Sequence, residues 1–225
     1  MFRILKDLFS SENLLHQALN ITLDMLEIDL KMFNASSASL RHQNTGELPF
    51  DVRKEDRRIN KLQRQVRRNV LTHLSVVGTQ SVVPGLVLVS VVIDVERIGD
   101  YTKNISELAV MHPARLEAGP YESKLADIER QVATIFPQVI RVLREQDSEL
   151  AAKIMSAEDR TGKRAERIVQ SLIVERARGV KVEDAVCLAL YVRHLKRINA
   201  HLTNIASAIG NPFPRLGFRL KPVRK

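Results

Sequence analysis

The chain has 225 residues, 44% apolar and 27% charged, with a formal net charge of +9 and a sequence pI near 9.9. That balance excludes a disordered chain, and the length suits one large domain or two small ones. One cysteine, Cys187, excludes an internal disulfide and a cysteine-built zinc cage, while 4% aromatics and no Trp argue against a base-stacking platform.

The opening segment MFRILKDLFSSENLL carries charges through its apolar stretch and lacks a secretory cleavage site. Its Phe2, Leu5, Leu8 and Phe9 form an apolar face expected to dock on the first bundle. Leu15, Leu19, Leu23, Leu26, Leu30 and Phe33 keep the three-and-four rhythm of an amphipathic helix, and residues 34–50, with Gly46 and Pro49, hold the first connection. A second helix is predicted over 51–74, with Ile59, Leu62, Val66 and Val70 inward and His73 as a buried, hydrogen-bonded side chain. Residues 69–93 carry no formal charge, but His, Thr, Ser, Gln and the Pro84-Gly85 pair make them unfit to span a bilayer. They read as the buried start of a soluble helix. Leu88, Val91, Val95, Ile98, Thr102, Ile105 and Ala109 continue that third helix, and two prolines and a glycine in 112–123 make a linker.

The same order then recurs. Helices are predicted over 124–144, kinked at Pro137, over 147–178, with Thr161-Gly162 as the place for a break, and over 182–210, stopped by Gly210-Asn211-Pro212. The chain is therefore expected to be all-α, two tandem three-helix bundles: 1–111, a linker at 112–123, 124–211, and a basic tail at 212–225. An internal repeat supports duplication. Arg97-Ile98 and Asn104-Ile105 match Arg197-Ile198 and Asn204-Ile205 at an offset of 100, and Glu55-Asp56-Arg57 matches Glu158-Asp159-Arg160 at 103.

Positive charge is concentrated in two places: residues 53–68 carry +6 and residues 211–225 carry +5. Such patches attract nucleic acid, anionic lipid or an acidic protein surface. In the tail, Phe213, Leu216, Phe218 and Leu220 interleave with cations, a composition suited to a membrane surface or an acidic groove. Against nucleic acid, no reading motif is present and the remainder of the chain is slightly acidic.

Glu96, Asp100, Asn104 and Glu107 fall on one helix face at spacings of four, four and three. Like charges one turn apart need compensation. Arg97 and Lys103 can supply it, and so can a cation, because paired carboxylates suit oxygen-preferring metals. Asp56 and Asn60 repeat the spacing on the second helix. No Glu-x-x-His pair, HExxH, Walker, GxGxxG or GxSxG signature is present, and His194 and His201 read as partners for nearby polar groups.

The string DVERIGDYTKNISELA resembles the signature of the PhoU family, E-R-I-G-D-x-x-x-N-I, whose chains hold two three-helix repeats. The resemblance implies a cytoplasmic, non-enzymatic regulator of phosphate uptake and phosphate-responsive signalling, acting through a phosphate transporter and its sensor kinase. It also implies a divalent or ferric metal, iron among the candidates, at Glu96 and Asp100, with Asp56 and Asn60 as further contributors. A peripheral position at the inner face of the membrane and a homodimer are compatible with it; nucleic acid is not an expected partner. The second half departs from the pattern: Glu96, Gly99 and Asp100 become Lys196, Asn199 and Ala200, and Asn60 becomes Lys163. A metal is therefore expected in the first bundle alone.

Overall fold

A computed structural model describes residues 13–218, the side chains of residues 158 and 159 excepted. Six long helices carry the fold: α1 (Leu14–His42), α2 (Val52–Val77), α3 (Val82–Met111), α4 (Glu122–Glu145), α5 (Ser148–Val174) and α6 (Val182–Gly210). There is no strand among the described residues. The expected apolar face at Phe2–Phe9 and the end of the basic tail lie outside them.

Side-chain caps start three of the helices. Asn13 accepts from the amides of Leu15 and His16, Asp51 from that of Lys54, and Asp147 from that of Leu150, so each supplies an acceptor to an otherwise orphaned N–H. The two Asp caps stand at the same place in each half, at the start of its second helix. α1 runs eight residues further than Asn34, where the sequence placed the first connection. Buried Ser36, Ser39, Leu40 and Arg41 extend its packed face, and Ser39 Oγ donates to the Glu47 carbonyl. α4 continues through Pro137, and α5 is unbroken at Thr161-Gly162.

Each half is a three-helix bundle, α1 to α3 and α4 to α6. The halves join along α3 against α6, with a smaller contact of α1 on α4, and their buried side chains make one continuous core. The α3–α6 contact is antiparallel: Asp94 meets His201 at 2.6 Å, and Tyr101 lies beside His194 and stacks on His201 at 5.7 Å. At the offset of 100, position 94 corresponds to 194 and position 101 to 201. Each half thus presents the same two positions to the other, the self-complementary pattern of a two-fold interface. The connection at 112–121 is part of this packing. Leu116 and Ala118 are fully buried, and the Leu116 amide donates to the Leu40 carbonyl.

The tail is also attached as far as it is described. Asn211 Nδ2 donates to the carbonyls of Arg215 and Phe218, and the Gly217 amide donates to Ser207 Oγ. Phe213 and Leu216 pack on the core.

Candidate functional site

The four sequence-derived candidates lie where α2 and α3 pack. Glu96, Asp100 and Asp56 are half-buried on facing turns, together with Asn60. The bonds among them run through cations of the same chain. Lys103 Nζ is 3.1 Å from Asp56 Oδ1 and 3.0 Å from Asp100 Oδ1, and so bridges the two helices. Arg97 reaches Asp100 at 3.1 Å and Glu96 at 3.7 Å. Asn60 donates its side-chain amide to the Asp56 carbonyl of its own helix at 3.1 Å. Glu107, on the same face, pairs instead with Arg53.

A fifth group completes the cluster and was not singled out from the sequence. Asp29 of α1 is fully buried, and neither of its carboxyl oxygens has a hydrogen-bond partner. Gly99 of α3 makes room for it: a Cβ there would lie 2.8 Å from Asp29 Oδ1 and 3.1 Å from Ile59 Cδ1. Burial, reinforced by the charges of Asp56, Glu96 and Asp100, raises the Asp29 carboxyl well above the usual range. Glu96 is raised too, by burial and by Asp100, with Arg97 opposing. For Lys103, burial works against the charged form but its bonds to Asp100 and Asp56 prevail, so the ammonium is held more firmly than usual.

Four carboxyl groups thus face two cations, Lys103 and Arg97. Their oxygens are the donor type that Mg²⁺, Mn²⁺, Ca²⁺ or iron prefers, and the orphaned Asp29 is what an excess of negative groups produces. The position between Asp56 and Asp100, however, is held by an ammonium. No three His, Cys, Asp or Glu side chains among the described residues stand close enough to share an ion. The residues suit a metal in chemistry, then, and would have to release Lys103 to hold one.

The second half is built differently at the matching positions. Lys196 Nζ pairs with Glu166 of α5 at 2.5 Å. Asn199, in place of Gly99, buries a side-chain oxygen without a partner. The buried residues of α4 are all apolar, so this bundle has no counterpart of Asp29.

Other candidates are structural. His73 is buried with Nε2 at 3.1 Å from Ser81 Oγ, and His201 pairs with Asp94. Burial pushes the Cys187 thiol up to about 11, which removes it as a nucleophile near neutral pH. The basic run of α2 is partly neutralised, since Arg53 pairs with Glu107, Arg57 with Asp51 and Arg58 with Glu55. The pairing is confined to the start of the helix; Lys61, Arg64, Arg67 and Arg68 remain exposed cations.

The family model described as PhoU domain matches residues 22–109 and 125–209, one match in each half. A curated relative from Synechocystis, named as a phosphate-specific transport system accessory protein PhoU homolog, is 26% identical over 171 residues, 74% of this chain and 75% of its own. The crystal structure of PhoU from Pseudomonas aeruginosa superposes with a TM-score of 0.76 at 20% identity, covering 87% of this chain and 95% of that one. The phosphate transport system regulatory protein PhoU from Streptococcus pneumoniae gives 0.71 at 14% identity, over 92% and 94%. At those identities the structural likeness is one of fold.

Proposed function

Since the chain belongs to the PhoU family, we propose that it regulates phosphate uptake without catalysis, at the cytoplasmic face of the membrane, by binding a phosphate transporter and its sensor kinase. The observation that carries this reading is the pair of family matches, each covering one three-helix unit, together with a relative named as an accessory of a phosphate-specific transport system. The acidic groups of the α2–α3 face are engaged with each other's counterions, and the one thiol is buried, which supports recognition rather than bond-making chemistry. No described helix is long and apolar enough to cross a membrane.

The test is a pull-down from solubilised membranes with the full chain as bait. Retention of phosphate-transporter subunits or the associated kinase is the expected result. Recovery of neither, or of nucleic acid alone, overturns the reading.

A metal at the α2–α3 cluster is part of the same proposal. Glu96, Asp100 and Asp56 would hold it, with Asn60 as a neutral oxygen donor, and the ion would cross-link α2 and α3 in place of Lys103. Lys103→Met is expected to tighten Mn²⁺ binding by about tenfold or more, because it removes a competing cation from between two carboxylates. Glu96→Gln with Asp100→Asn should abolish binding in titration calorimetry. If neither the wild-type chain nor Lys103→Met takes up Fe, Mn, Mg, Ca or Zn, the cluster is a charge network alone.

A further inference from the structure

The turn between α2 and α3 exposes apolar side chains that the sequence had assigned to a buried helix start. Val87, Leu88, Val91 and Val92 are indeed buried, but Val76 is 80% exposed, Leu71 68% and Val77 49%, and Val82, Val83 and Leu86 join them on the same tip. Exposed aliphatic groups gathered at one end of a long hairpin are unusual for a surface meant only for water.

Charge around this tip is one-sided. Residues 57–93 contain no Asp or Glu, and 69–93 contain no formal charge at all. Lys61, Arg64, Arg67 and Arg68 are exposed behind the tip with no carboxylate at ion-pair distance among the described residues, although the Arg67 charge is felt at Glu96. Lys61, Arg64 and Arg68 share a helix face with Leu71. Nine residues separate Arg68 from Val77, or about 14 Å along the axis. An apolar cap with a cationic collar one long side chain behind the phosphate level is the pattern of interfacial insertion, in which apolar groups enter roughly 5–10 Å and cations stay with the headgroups.

The C-terminal segment adds to the same half of the molecule. The antiparallel register of α6 on α3 carries Gly210 toward the start of α3, and the 213–215 turn packs against α3. Phe218 is exposed there, and the sequence beyond it supplies Arg219, Lys221, Arg224 and Lys225 with no acid.

We propose that the α2–α3 tip is a membrane-docking element that inserts Val76, Val77 and Leu71 into a bilayer of anionic phospholipid, with Lys61, Arg64, Arg67 and Arg68 on its phosphates. A second copy of the chain is a poorer occupant, because tip-to-tip contact would bring two cationic collars together. The opposite hairpin tip, between α5 and α6, is the built-in comparison. It also exposes Ile173, Val174, Val182 and Val186, and Arg176, Arg178 and Lys181 beside them, but there Glu175 and Glu183 offset two of the three cations, whereas no acid stands in 57–93.

The experiment uses the full chain with vesicles of phosphatidylcholine, with and without phosphatidylglycerol. Because the chain has no Trp, Val76→Trp introduces a single indole at the tip. Phosphatidylglycerol vesicles should blue-shift its emission, brominated acyl chains should quench it, and salt should weaken the binding. Val76→Asp with Val77→Asp, and separately Arg64→Gln with Arg67→Gln and Arg68→Gln, should each lower vesicle binding about tenfold, while Val186→Asp leaves it unchanged. The proposal is overturned if the chain does not bind these vesicles, if the introduced indole stays in water while the chain binds, or if Val186→Asp weakens binding as much as the tip variants. A blue shift without vesicles that grows with protein concentration would assign the tip to self-association instead. Vesicle binding needs no transporter, so its outcome is separate from that of the pull-down.

Discussion

Arg41→Met is expected to cost about 1.5–3 kcal/mol of unfolding free energy, the scale of a hydrogen bond to a charged group, since Glu122 is 46% and Glu129 22% exposed. Arg41, in the last turn of α1, has a side chain only 4% exposed, yet it joins α1 to α4 and to the 112–121 connection, and through Glu129 to α6. Nε lies 2.7 Å from Glu129 Oε1 of α4, one guanidinium nitrogen donates to the Leu116 carbonyl at 2.6 Å, and the other to Glu122. Tyr191 of α6 donates its hydroxyl to the same Glu129 oxygen at 3.0 Å. Burial opposes the charge on Arg41, but Glu129 and Glu122 outweigh it and raise its pKa. Methionine would fill much of the volume while leaving the Leu116 carbonyl and a half-buried Glu129 short of a donor. Urea unfolding measures the loss, and a cycle with Glu129→Gln should show strong non-additivity because both variants break one network. A cost below about 1 kcal/mol, typical of an exposed pair, would mean the network is not holding the halves together.

Arg41 also shows where reading the sequence stops. Helix periodicity located all six helices because the apolar stripes are long: Ile98, Ile105, Ile198 and Ile205 are all fully buried, at matching positions of the two halves. The duplicated bundle was legible for that reason. The first connection was placed too early because Asn34-Ala-Ser-Ser reads as a loop, whereas Ser36 is small enough to be buried where α1 packs. The tip of α2 and α3 defeated the pattern differently. A run of valines looks the same whether a neighbouring helix covers it or not, and here Val76, Val77, Val82 and Val83 are left exposed.

Of the site, Glu96, Asp100, Asp56 and Asn60 were legible from spacing, and the fold does gather them at one helix–helix contact. Lys103 was visible only as a charge three residues from Asp100; that it reaches Asp56 across to α2 depends on the packing of α2 on α3. Asp29 gave no signal. In DMLEIDLKMF Asp29 reads, like Asp24 and Glu27, as a solvated residue on an amphipathic helix, and its neighbours in space are 27 to 71 residues away in sequence. The one local hint was Gly99, which the signature holds between Ile98 and Asp100 and whose missing Cβ is where the Asp29 carboxyl lies.

Asp29→Asn is therefore expected to stabilise the fold near neutral pH by about 1–3 kcal/mol, the scale of an unsatisfied buried polar group, although it removes a charge from the candidate site. The sign follows from proton linkage. Asp29 is raised in the folded state, so between the unfolded value, about pH 4, and its own pKa the folded chain holds a proton that the unfolded chain has lost. Stability from this group is greatest below about pH 4 and falls as pH rises through that window. Asparagine has no such term. The gap between the variant and wild type should thus vanish in acid and widen toward neutrality in thermal or urea unfolding, measured with chelator present. A variant less stable than wild type at neutral pH would show that the ionised carboxylate is being stabilised by a partner. Gly99→Ala tests the same contact from the other side. Its methyl would meet Asp29 Oδ1 at 2.8 Å, and crowding of this kind costs about 1–3 kcal/mol. In an Asp29→Ala background that oxygen is absent, leaving only the 3.1 Å approach to Ile59, and most of the penalty should disappear. Equal penalties in the two backgrounds would place the strain on Ile59 and remove Asp29 from the account.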